Sequence, residues 1–154
     1  MRLFLLFLAS LGFIGCVPHK LPFKKWKGAG LLGSLLAWGL LWLLPAEGPF
    51  LWAAVAAALA VSVPVSTYAE KQWAYDDPRI VIDELAGVWI ACLGVPRAMG
   101  PMLAGLVLFR VFDVFKGPWG NAAARLPGGW GVVADDALAG LISCGLVHAF
   151  LFLA

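Results

Sequence analysis

Residues 29–44 and 50–66 contain no charged side chain, and Pro45 with Gly48 and Pro49 mark a tight turn between them. Further apolar runs lie near residues 2–17, 80–95, 99–115 and 132–153. The hydrocarbon core of a bilayer takes about 20 helical residues to cross, and several of these runs are shorter. The chain of 154 residues is 62% hydrophobic and 13% charged, with a mean hydropathy of +0.91. A soluble domain carries about 25% charged residues. The expected fold is therefore all-α: a polytopic membrane bundle of five to six helices. Residues 1–154 form one domain, because no polar linker is long enough to separate two.

Composition also excludes some classes. A net charge of +2 is too small to argue for nucleic acid. Cys16, Cys92 and Cys144 lie in apolar stretches without CxxC spacing, so a zinc site is not expected. The opening MRLFLLFLASLGFIGC has the outline of a lipoprotein-type signal peptide, but bulky Phe13 and Ile14 and a single early basic residue, Arg2, favour retention. The Ala-rich stretch Ala53 to Val63 reads as a spanning helix.

Against this oily background, eight of the nine acidic residues fall between Glu70 and Asp136. Ionisable groups are costly in a membrane, so such a concentration is a functional hypothesis by default. The key stretches are Tyr75 to Gly87 (YDDPRIVIDELAG), Phe109 to Lys116 (FRVFDVFK) and Gly128 to Gly140 (GGWGVVADDALAG). Asp83, Glu84, Asp113, Asp135 and Asp136, with Arg110 and Lys116 among them, can hold a hard divalent cation and a phosphate together. Asp83 and Glu84 are adjacent, so on a helix they point about 100° apart, and both should not face one small pocket squarely. One would bind a metal while the other orients it or pairs with a base.

Arg110, Asp113 and Lys116 follow an i, i+3, i+6 spacing, either an ion-pair ladder or a phosphate-binding stripe. Asp77-Pro78 suits a helix start, with Asp as the cap and Pro at the first position. Gly128, Gly129 and Gly131 permit positive φ and close approach, and could present N–H groups to an anion. Gly140, four residues after Asp136, leaves room for close helix packing. His19 and His148 are set aside. The chain has no cysteine-phosphatase spacing, no DxDx[TV] nucleophile, no Walker A loop and no GxSxG elbow, so a carboxylate-bound metal is what remains.

Basic residues orient the chain. Lys20, Lys24, Lys25 and Lys27 crowd the first loop, Lys71 and Arg79 lie in the third, and Lys116 and Arg125 flank the fifth. The alternate loops hold only Glu47 and Arg97. By the positive-inside rule the odd loops are cytoplasmic, and all the acidic stretches sit on that side.

VIDELAGVWIA, FRVFDVFKGPW and PGGWGVVADDALAG resemble the three signature blocks of the phosphatidylglycerophosphatase A family, over about residues 75–145. Gly12 to Pro18 and Gly30-Leu31-Leu32-Gly33-Ser34 are similar to its two N-terminal elements, with Leu31 in place of a threonine. In two places the chain departs from the family pattern. Pro127 stands where a histidine precedes the glycine pair, and Lys116-Gly117-Pro118-Trp119-Gly120 replaces KPWP.

The resemblance implies a bacterial cytoplasmic (inner) membrane enzyme, its site facing the cytoplasm, that uses Mg²⁺ to convert phosphatidylglycerophosphate in the bilayer to phosphatidylglycerol and phosphate. It assigns functional roles to Asp83, Glu84, Arg110, Asp113, Lys116, Asp135 and Asp136, with Gly128 and Gly129 as the glycine pair. On this reading Asp83 or Glu84, with Asp113 and Asp135 or Asp136, would hold one or two Mg²⁺ ions. Arg110, Lys116, Gly128 and Gly129 would face the phosphate, and Glu84 is a candidate base. The competing expectations are a small ion or metal transporter and an inactive relative acting as a membrane partner.

Overall fold

A computed structural model describes residues 1–20, 28–45, 49–123 and 125–153. Lys24, Lys25 and Lys27 of the basic loop, together with Glu47 and Gly48, lie outside the described residues. The chain is all-α, with no strand among the described residues. Its α-helices are α1 (Arg2–Ala9), α2 (Val17–Lys20), α3 (Ala29–Leu41), α4 (Pro49–Gln72), α5 (Ile82–Ala91), α6 (Met99–Val114), α7 (Pro118–Ala123) and α8 (Gly129–Leu153), with one 3₁₀ turn at Ile14–Cys16. Two of them, α4 and α8, are long and apolar enough to cross a membrane, and α3 is a shorter apolar helix.

Most of the apolar runs become one helix each. The first does not. Ser10 closes α1 by donating its hydroxyl to the Leu6 carbonyl at 2.7 Å and accepting the Phe13 N–H at 3.1 Å. Leu11, Gly12 and Phe13 then take positive φ values of 44°, 73° and 65°, which no helix continues through. Asp77-Pro78 does not start a helix either. Asp77 accepts the Arg79 N–H at 3.0 Å and grips its guanidinium at 2.7 Å through both oxygens. The chain therefore turns there, and α5 begins only at Ile82, after Val81. Arg79 also lies 4.5 Å over the Trp73 ring. The pairing with Asp77 outweighs burial and raises the Arg79 pKa further.

Helix α5 lies at the centre and packs most extensively against α8, with α3, α4 and α6 around it. Association of helices in lipid depends on close packing more than on apolar burial, so small residues decide where backbones can meet. Gly140 of α8 sits against Gly87 of α5. A Cβ on Gly140 would collide with the Gly87 carbonyl and lie 3.0 Å from Ile90 Cβ. A Cβ on Gly87 would lie 2.8 Å from Phe109 Cζ and 2.9 Å from the Asp136 carbonyl oxygen. Phe109 itself is fully buried. Gly87→Ala is expected to destabilise the protein by about 1–3 kcal/mol through overpacking. A lowered unfolding temperature in detergent would show it.

The end of the bundle away from the acids is tied by polar side chains to backbone carbonyls of neighbouring helices. Trp38 Nε1 donates to the Met102 carbonyl and Trp89 Nε1 to that of Ala37, each at 2.9 Å. Arg97 donates to the Leu41 and Pro45 carbonyls beyond the end of α3, where helix carbonyls lack intrahelical partners. Leu41, Val88, Met102 and Phe109 are among the largest fully buried side chains of the main core cluster.

Candidate metal and phosphate site

Three helices bring their charged residues to the other end of the bundle. Asp83 and Glu84 occupy the first turn of α5, Arg110 and Asp113 the last turns of α6, and Asp135 and Asp136 the second turn of α8. The start of α3 closes the fourth side, at Gly30 and Gly33. Asp83, Glu84 and Asp136 each offer a carboxylate oxygen, and these atoms lie within 4.8 Å of one another. The expectation that Asp83 and Glu84 should not both face one small pocket squarely is therefore corrected. Side chains leaving α5 about 100° apart can both turn a carboxylate oxygen toward that of Asp136 on α8.

The other two acids flank this triad. Asp113 pairs with Arg110 Nη1 at 2.6 Å, and its carboxyl also reaches Asp136. Asp135 pairs with Lys116. The i, i+3 rung of the expected ladder thus forms, but the i+6 rung does not. Helix α6 ends at Val114 with Phe115 as its cap, so Lys116 leaves the helix and crosses to α8. Burial alone would lower the Lys116 pKa. Its contact with Asp135, and the nearby Asp76 and Asp136, outweigh that and raise it, so the ammonium stays charged.

Asp83, Glu84, Asp135 and Asp136 are all buried, at 6%, 8%, 1% and 4% exposure. Asp83 Oδ1, Glu84 Oε2, Asp135 Oδ1 and Asp136 Oδ2 have no hydrogen-bond partner. Five carboxylates face two cations, Arg110 and Lys116, which leaves three negative charges uncompensated when all are ionised. Isolated buried carboxylates of this kind are very costly. Unpartnered, oxygen-only donors converging within one pocket are the ligand set that a hard divalent cation such as Mg²⁺ takes. The residues present fit such an ion.

Glycines shape the edges of the site. A Cβ on Gly120, in α7, would lie 2.5 Å from Asp135 Oδ1 and 3.4 Å from Lys116 Cβ. Helix α7 was not expected from the sequence, which reads there as a loop. Gly128 has φ of +58°, as the Gly-rich stretch suggested. Gly129 and Gly131, however, are already helical. The Gly129 N–H donates to Thr67 Oγ1 at 2.9 Å, and a Cβ there would lie 2.7 Å from Thr67 N. Gly128 and Gly129 are thus placed against α4, where they let α8 approach it closely.

Two further residues approach the site without a role assigned to them from the sequence. Ser34 of α3, which the sequence offered only as part of the family-like Gly30–Ser34 element, accepts a hydrogen bond from Arg110 at 3.1 Å. Asp76 has a left-handed φ of +50°. Although exposed at the surface, it has a raised pKa, through partial desolvation, against the pull of Lys116, and with a further push from Asp135, Asp113 and Asp77. The two departures from the family pattern lie beside α7. Gly117 precedes Pro118 at its start, and Pro127 sits in the turn before Gly128. Neither displaces an acidic residue.

Residues 7–151 match the phosphatidylglycerophosphatase A family. A candidate phosphatidylinositol-3-phosphatase of Bacteroides thetaiotaomicron is 34% identical over 132 residues, covering 82% of each chain. The phosphatidylglycerophosphatase A of Escherichia coli is 31% identical over 130 residues, covering 77% of this chain and 72% of that protein. That of Haemophilus influenzae is 31% identical over 144 residues, covering 92% and 86%. No solved structure matches the chain.

Proposed function

The chain belongs to the phosphatidylglycerophosphatase A family and is a membrane phosphatase, and we propose that it hydrolyses the phosphomonoester of phosphatidylglycerophosphate to phosphatidylglycerol and phosphate. The observation that carries this reading is the convergence of carboxylate oxygens from Asp83, Glu84 and Asp136, each residue having a buried oxygen without a partner, with Arg110 Nη1 3.9 Å from Glu84 Oε1. The carboxylates suit a divalent cation and the guanidinium suits a phosphate. The names of the Escherichia coli and Haemophilus influenzae relatives supply the lipid.

Asp83, Glu84 and Asp136 would hold Mg²⁺, with Asp113 and Asp135 at its margin. When bound, the ion supplies Lewis-acid polarisation of the phosphoryl oxygens and a water of lowered pKa. Arg110 binds the equatorial oxygens of the phosphoryl group, where charge builds in the transition state. Lys116, held by Asp135, adds positive charge at the edge of the site. Water attacks phosphorus in line with the glycerol oxygen and its proton passes to a carboxylate of the cluster. The phosphorus–oxygen bond to glycerol breaks, and the leaving oxygen takes a proton from solvent. On the positive-inside pattern this end of the bundle would face the cytoplasm at the inner membrane, with the acyl chains left in the bilayer.

The relative from Bacteroides thetaiotaomicron favours a second reading with the same chemistry on an inositol head group. Phosphate release from purified protein, with phosphatidylglycerophosphate and phosphatidylinositol 3-phosphate compared in the same detergent with Mg²⁺, separates the two. Phosphatidylglycerophosphate is expected to be preferred by at least about tenfold in kcat/KM, a difference of about 1.4 kcal/mol in barrier. The reverse preference would replace the first reading with the second. The transporter reading is disfavoured by the gathering of the acids at one end of the bundle, where they leave the other half without a coordinating path.

A further inference from the structure

The first turns of α3 are uncharged and take no part in the chemistry above, yet three small residues there face the site. A Cβ on Gly30 would collide with Glu84 Oε1 and lie 3.2 Å from Arg110 Nη1 and 3.3 Å from Nη2. A Cβ on Gly33 would lie 2.7 Å from Val81 Cβ and 3.3 Å from Glu84 Oε2. Ser34 follows, with no exposed surface. Its hydroxyl donates to the Gly30 carbonyl at 2.8 Å. A hydroxyl has one proton, so with that proton directed back along the helix the oxygen is fixed as an acceptor. What it accepts is the Arg110 Nη1 proton, at 3.1 Å.

Arg110 Nη1 is therefore held from two sides, by Ser34 on α3 and by Asp113 Oδ2 at 2.6 Å on its own helix. Glu84 Oε1 stands farther off at 3.9 Å. Among the described residues, none accepts a hydrogen bond from Arg110 Nε or Nη2. Those two atoms form the side of the guanidinium whose parallel N–H groups match two oxygens of a phosphate. The side chain is 19% exposed, so this edge is not sealed off.

We infer that Ser34 is a positioning residue: seated beside Gly30 and Gly33, it locks Arg110 through Nη1 so that the Nε–Nη2 edge is presented to two oxygens of the phosphoryl group. The inference rests on the phosphatase reading above. A flexible arginine would have to surrender its rotational freedom on each binding event, whereas one held by a neighbouring helix is preorganised. It also explains why small residues occupy α3 here: any side chain on Gly30 would strike Glu84 Oε1 and crowd the guanidinium.

The test is a double-variant cycle read in two ways. Ser34→Ala removes the acceptor and keeps a good helix former. Binding of inorganic phosphate to the purified protein with Mg²⁺, measured by calorimetry, should weaken about tenfold or more in Ser34→Ala and in Arg110→Lys. The double variant should bind no worse than Arg110→Lys alone, because Ser34 acts through the arginine. In turnover, Ser34→Ala should lower kcat by about 10–100-fold, as is usual for groups that orient a site residue. Gly30→Ala keeps the hydroxyl but strikes Glu84 Oε1 and crowds the guanidinium, and should weaken phosphate binding as much. Wild-type phosphate binding in Ser34→Ala or in Gly30→Ala overturns the inference. So does a Ser34→Ala loss that multiplies undiminished onto Arg110→Lys, which would assign Ser34 to packing alone. Coupled phosphate binding without release from phosphatidylglycerophosphate would leave the positioning role standing and remove the proposed substrate.

Discussion

Asp136→Asn and Asp83→Asn each lower phosphate release by at least about 10²-fold, the loss expected when a group that stabilises charge in a transition state is removed. Both side chains are buried, and both contribute oxygens to the three-carboxylate pocket. The amide keeps the shape and loses the charge, so the effect isolates electrostatics from packing. Stability should move the other way. Without a cation these carboxylates repel one another in a poorly solvated pocket, and neutralising one relieves that repulsion. The asparagine variants should therefore unfold at higher temperature than the parent in chelator, while being nearly inactive. Turnover within a few-fold of wild type in both variants would reject the site.

Chelation has the second large effect. Removing divalent cations with EDTA abolishes turnover, and Mg²⁺ restores it. The same addition should stabilise the folded protein, because an ion bound only by the native state contributes RT ln(1 + [L]/Kd), about 2.7 kcal/mol at a hundredfold excess over Kd. The rise in unfolding temperature should be large for wild type and much reduced for Asp136→Asn. Activity that survives exhaustive chelation would rule out the cation. A stabilisation equal in wild type and variant would place the ion elsewhere.

The helices that carry charge were readable from the chain because ions in oily segments are so costly that their positions are rarely accidental. Asp83, Glu84, Asp113 and Asp136 could thus be brought together from distant stretches, and Gly140 could be recognised as a packing residue. What remained hidden had little or no charge to announce it. Ser34, Gly30 and Gly33 were marked in the sequence only by their likeness to a family element within an apolar run, and the approach of Glu84 and Arg110 gives them a role. Gly129 and Gly131 read as a loop because glycine tolerates positive φ, but only Gly128 uses that freedom. Gly129 serves closeness to α4 instead. The Asp83–Glu84 geometry was misjudged because side-chain directions on one helix say little about a pocket that several other helices complete.

The helix that carries Asp83 and Glu84 runs only from Ile82 to Ala91. At 1.5 Å per residue it is about 15 Å long, half the depth of a typical hydrocarbon slab. On the proposed orientation the acids sit at the cytoplasmic face, so the other end of this helix, at Ala91, would stop near the middle of that slab. A phospholipid of the inner leaflet can then tip its head group sideways to the acids without lifting its tails out of the oil. Such an enzyme is matched to the thickness of its membrane as closely as to its substrate.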